Sequence, residues 1–153
     1  MNRIERVRQY VDDILLNMED TEERRCAYLH LYGVSQACVL IALKRNGNTE
    51  LAAIAGMLHD ISSYATMDSF DHANKSALIT RDILQEIKQF EENEIEQICS
   101  AVHRHSDKNT IHSDFDEILT DADTLQHWLY NPLFDVAEHE KGRVEKLKTE
   151  FCL

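Results

Sequence analysis

The stretch Leu51–Asp60, LAAIAGMLHD, constrains this chain more than any other. From Leu51 to Leu58 it is apolar or Gly without a polar break. A helix that is apolar all round belongs inside a domain. Yet the run ends in two adjacent ionisable groups, His59 and Asp60. Burying a carboxylate beside an imidazole is costly unless something pairs with them. A divalent transition metal suits both, because it accepts imidazole nitrogen and carboxylate oxygen as ligands. A partly exposed helix end with a His–Asp hydrogen bond is the simpler alternative, and the doublet alone does not decide between them.

The rest of the chain points to an all-α domain. It holds only 4 Gly and a single Pro, Pro132, and its long segments are rich in Ala, Leu, Glu, Ile and Lys. With 153 residues and 43% apolar content, one domain spanning 1–153 with a real core is expected. The apolar spacing predicts an amphipathic helix over Asn2–Met18 and a second over Glu22–Lys44, closed by Gly47 as a left-handed cap. Asn48 or Thr49 caps the central helix, and Ile61–Asp71 reads as a connection. Further helices are expected over Ser69–Ile87, Glu94–His105, Asp114–Tyr130 and Glu138–Phe151. The whole is a bundle of about six to seven helices, its core about 20–130, with helices 2–18 and 138–151 packed on it.

Charge narrows the function. The chain carries 28 acidic against 16 basic residues, a net −12. Such a surface repels nucleic acid and anionic membranes, and an anionic substrate needs local positive charge. Cys26, Cys38, Cys99 and Cys152 show no CxxC spacing, so reduced thiols are expected, with Cys26 and Cys38 buried. Met1–Leu16 carries charge throughout, and no apolar run approaches the ~20 residues that span a bilayer, so a cytoplasmic location is expected.

Several polar residues do not fit their helices. His30, His72 and His105 fall on or beside inward faces, while His103 sits off the stripe. Asp121 and Asp123 flank Ala122 and either can face inward. Each alone is unremarkable as a hydrogen-bonded core residue. Together with His59-Asp60 they come from five consecutive helices, which is how helical bundles assemble metal sites. His112, His127 and His139 read as surface residues.

On these motifs the chain resembles the HD-domain superfamily of metal-dependent phosphohydrolases. The match runs through H-x-x-x-V at His30–Val34, the doublet at Met57–Asp60, and H-x-x-x-S-A at His72–Ala77. It continues through A-V-x-x-H at Ala101–His105 and D-A-D-x-L at Asp121–Leu125. The resemblance implies metal ligation by His30, His59, Asp60 and Asp123, with Asp123 preferred to Asp121. It implies a second ion held by His72 and His105, with Asp60 bridging. His59 and Asp60 are the expected catalytic pair. One or two divalent ions (Fe, Mn, Zn, Co or Ni) are the expected cofactors. Many two-metal relatives follow the doublet with Gly-Lys; here Ile61-Ser62-Ser63 stands there. Lys75 and Lys108 are candidate phosphate contacts, and His103, Arg104 and Asp107 are candidates for the same rim. The expected activity is hydrolysis of a phosphoester or phosphoanhydride of a nucleotide-like small molecule. A di-iron oxygenase and a non-catalytic metal or nucleotide sensor use the same ligand set. A homo-oligomer, packed through the charged last helix, is open.

Overall fold

Eight α-helices and one 3-10 turn build the domain, and no strand occurs. The computed structural model describes residues 1–153. The helices are α1 (Arg3–Leu16), α2 (Thr21–Lys44), α3 (Thr49–Leu58), α4 (Ile61–Thr66), α5 (His72–Ile87), α6 (Glu92–Arg104), α7 (Asp114–Tyr130) and α8 (Lys141–Phe151). The 3-10 turn, Glu138–Glu140, precedes α8.

Helix α3 is the axis of the core. Every residue from Leu51 to Leu58 is buried, walled in by α1, α2, α6 and α7. The α2–α3 contact is the most extensive. It is close because Gly56 lets the backbones meet: a Cβ there would stand 2.6 Å from Ser35 Cα and 2.8 Å from Ser35 N. At the same crossing the Ser35 hydroxyl donates to the Ala53 carbonyl at 2.9 Å. Gly56→Ala is therefore expected to wedge α3 from α2, at a cost of about 1–3 kcal/mol for overpacking. For a chain this size that is a fall in Tm of roughly 2–12 °C, read by thermal unfolding. An unchanged Tm would show that α2 can step aside.

Local rules set the helix ends, in places differently from the sequence reading. Helix α2 starts at Thr21, one residue before the expected Glu22, and Asp20 caps it, its carboxylate accepting from the backbone N–H groups of Glu22 and Glu23. The left-handed residue after α2 is Asn46 (φ 55°), not Gly47; Asn tolerates this conformation because its short side chain does not crowd the backbone. Asn48 caps α3. The expected connection after Asp60 contains α4, too short to show helical periodicity, and α5 starts later, at His72. Cys26 is exposed rather than buried, because its helical face turns to solvent, and all four thiols are free. An 18-residue window of α2 reaches a mean hydropathy of 1.6, enough by length and composition for a membrane span. Polar residues such as Ser35 and Gln36 interrupt it, so no unbroken apolar run marks it in the sequence. In the fold this helix packs along α3 and α7.

Helix α8 is tied down by charge. Asp121 is fully buried, and its two oxygens accept from Arg45 and Arg143, each at 2.7 Å. Arg143 also reaches Glu117 at 2.7 Å, and Arg45 reaches Glu150 at 2.7 Å. Buried charges of this kind persist only when each has a partner.

Candidate metal centre

Helix ends deliver most of the polar groups. His59 follows the last residue of α3, Asp60 precedes α4, His72 opens α5 and His105 follows α6. Only His30 and Asp123 come from helix interiors, in α2 and α7. Placing donors at termini lets α3 and α6 stay apolar along their buried length while presenting an imidazole at depth. His59 is fully buried, His105 is 2% exposed and Asp123 is 4% exposed.

The six side chains meet around Asp60. Its Oδ2 lies 3.3 Å from His30 Nε2 and 3.6 Å from His59 Nε2. Asp123 Oδ1 is 3.5 Å from His30 Nε2 and 3.6 Å from His59 Nε2. The two Nε2 atoms of His30 and His59 stand 3.0 Å apart. On the other side, Asp60 Oδ1 faces His105 Nε2 at 3.2 Å and His72 Nε2 at 3.5 Å. Donors bound about 2.1 Å from one ion, at tetrahedral or octahedral angles, stand about 3.0–3.4 Å apart. The observed separations, 3.0–3.6 Å, start in that range and exceed it by about 0.2 Å at most. Asp60 thus presents one oxygen to each of two donor groups.

The hydrogen bonds fix what each ring offers. His59 Nδ1–H donates to the Gly56 carbonyl at 2.8 Å, and His105 Nδ1–H to the Val102 carbonyl at 2.6 Å. His72 Nδ1–H donates to the Ser69 carbonyl at 3.2 Å. In each case the acceptor lies three residues earlier; for His59 and His105 it is in the last helical turn, where carbonyls lack helical partners. His30 Nδ1–H donates to the Gln126 side-chain carbonyl at 2.8 Å. A carbonyl can only accept, so each Nδ1 carries a proton, and the neutral form of each ring turns an Nε2 lone pair inward. This outer support is how proteins orient metal-binding histidines.

Two observations show that a cation fits. With both rings neutral and protonated on Nδ1, the Nε2 lone pairs of His30 and His59 face each other at 3.0 Å, which is repulsive without a positive centre near both. Asp60 Oδ1 and Asp123 Oδ1 are buried and receive no hydrogen bond, although buried carboxylate oxygens are normally satisfied. Electrostatics agree. Burial alone would raise the Asp60 pKa, but His59, His105 and His30 outweigh it and hold the carboxyl well below its usual range. For Asp123 the same burial is outweighed by His59, Lys108 and His127. Burial lowers His59, whereas in His30 and His105 the pull of Asp60 exceeds burial and the net shift is upward.

A cavity of about 410 Å³ opens onto the cluster, lined by Asp60, His72, His105, Ser106, Lys108, Asp123, His127, Ala137, His139 and Glu140. Of the proposed rim residues, only Lys108 lines it. Its ammonium bonds Asp123 Oδ2 at 2.7 Å and also Glu140, so it is neutralised where a free phosphate contact was expected. Lys75 pairs with Asp68 at 3.0 Å and covers the Phe70 ring. Arg104 turns to His112 at 2.9 Å, and Asp107 faces the same ring at 3.3 Å. His103 is exposed away from the cavity. These four do not join the site, because nearer partners hold them or their helix face points outward.

Of the three histidines read as surface residues, one is placed otherwise. The His112 side chain is only 8% exposed, covered by its Arg104 and Asp107 partners. His127 is exposed, as read, yet it borders the His/Asp cluster, its Nε2 3.3 Å from Asp123 Oδ1. The signal for it was in the sequence: His127 lies one helical turn after Asp123, on the same face. Glu140 carried no such signal, since it reaches Lys108 and His127 across the fold. Asp121 belongs to the arginine cluster described above, which leaves Asp123 as the α7 carboxylate at the site.

Comparison with known families gives one match: the model described as HD domain covers residues 27–128. That interval holds all six converging side chains. No curated protein and no solved structure matches the chain significantly.

Proposed function

Because the chain belongs to the HD-domain family, whose members are mostly metal-dependent phosphohydrolases, we propose that it hydrolyses a phosphoester or phosphoanhydride of a nucleotide-like small molecule. The observation that carries this reading is the convergence of four Nε2 lone pairs on two carboxylates whose inner oxygens lack donors. His30, His59, Asp60 and Asp123 would hold one divalent ion, and His72 and His105 a second, with Asp60 between them. Ions bound there would supply Lewis acidity towards a phosphoryl oxygen and acidify the attacking water.

The chain's own residues bind and orient. Asp60 lines the cavity, and the fully buried His59 lies beside it, its Nε2 3.6 Å from Asp60 Oδ2. The opening, at about 410 Å³, suits a small-molecule ligand. Ser106 and His139 border it and are free to contact the non-reacting part of a substrate. Lys108 and Lys75 are both paired with carboxylates, so no free lysine stands ready for the anion. In a chain of net charge −12, the positive charge for a phosphate must come from the metal centre itself.

The test is phosphate release from a panel of nucleotides and simple phosphoesters by protein loaded with Mn, Fe, Co, Ni or Zn. Metal-dependent release that stops on chelation is expected. Oxygen consumption without phosphate release would instead assign the centre to an oxygenase, and tight nucleotide binding without turnover would assign it to a sensor.

A further inference from the structure

His127 repeats the design of the four inward histidines. Its Nδ1–H donates to a fixed oxygen, here Glu140 Oε1 at 2.9 Å, and its Nε2 points at a site carboxylate, Asp123 Oδ1, at 3.3 Å. That oxygen is buried and accepts no hydrogen bond. The His127 ring lies parallel to His30, with centroids 5.3 Å apart and planes 9° apart. His30, Asp123 and His127 each offer a ligand atom, all within 4.8 Å of one another. We propose that His127 is a further donor to the cation held at Asp123, oriented by the carboxylate of Glu140. The inference rests on the metal-centre reading above and adds a ligand to it.

The chemistry distinguishes this from an ordinary helical Asp–His pair. With Nδ1–H given to Glu140, Nε2 is the nitrogen left facing the ionised oxygen, and a cation between them would take both as ligands. A carboxylate behind a metal-binding histidine is a recurrent support, raising ligand basicity and fixing ring orientation. Glu140 is only 5% exposed and is also bonded to Lys108, which in turn holds the outer oxygen of Asp123. Glu140 lies outside the family-matched interval 27–128, so the segment before α8 would complete a centre that the matched residues do not.

The experiment is a competition titration of the full chain against a chelator of known affinity, with Co or Zn as the metal. The His127 side chain is 45% exposed, so His127→Ala should leave the fold intact. Affinity is expected to fall on the order of tenfold or more, and the visible spectrum of the Co-loaded protein to change. The Tm of the metal-free variant should stay within about 2 °C of the parent, since no core contact is lost. Glu140→Gln, which keeps an acceptor oxygen but not its charge, is expected to show a smaller loss. A His127→Ala titration superimposed on that of the parent overturns the proposal, even if KM for substrate rises. If the parent takes up no metal, the metal-centre reading falls with it; if the parent binds and His127→Ala is unchanged, this inference alone falls.

Discussion

In Asp60→Asn, metal uptake is expected to fall towards zero and hydrolysis to drop by about three orders of magnitude or more. Asp60 is the one side chain with an oxygen facing each donor group, at 3.3 Å from His30 and 3.2 Å from His105. Asn keeps the shape but loses the charge, and it places an amide N–H where a ligand oxygen stood. Both donor groups would lose a ligand oxygen at once. A metal centre contributes several kcal/mol to stabilising the transition state, and each 1.36 kcal/mol is tenfold in rate. Elemental analysis of the purified variant and its phosphate-release rate check this together. Full metal content or parent-like turnover would contradict the assignment of Asp60.

Metal removal is expected to lower the Tm of the parent by roughly 5–11 °C. An ion that binds only the folded state stabilises it by about 2.7 kcal/mol when present at a hundred times its Kd. For a chain this size each kcal/mol is worth about 2–4 °C. The physical source is local: without a cation, two buried carboxylate oxygens have no partner and the His30 and His59 lone pairs oppose each other. Thermal unfolding before and after chelation, and after metal is restored, measures the shift. In Asp60→Asn the same treatment should leave the Tm almost unmoved, which ties the effect to this centre rather than to stray surface binding.

The helices were legible because their apolar residues recur at helical spacing, as in Val7, Val11 and Leu15 of α1. α4 escaped because six residues are under two turns. The six convergent residues stood out because each interrupts an inward face, and pattern alone could reach that far. It could not choose between Asp121 and Asp123, because α7 is buried on every side from Phe115 to Leu125 and both carboxylates are inside. What separates them is the partner each meets, Arg45 and Arg143 for one and the histidines for the other. Lys108 fails as a free phosphate contact for the same kind of reason: its two carboxylate partners come from α7 and from the turn before α8, and sequence distance hides both.

Anomalous diffraction from crystals of the metal-loaded protein probes the centre most directly. A peak is expected about 2.0–2.2 Å from His30 Nε2, His59 Nε2, an Asp60 oxygen and Asp123 Oδ1, with any second ion on the His72 and His105 side of Asp60. A map with no anomalous density among those atoms, while metal sits elsewhere on the molecule, would contradict it.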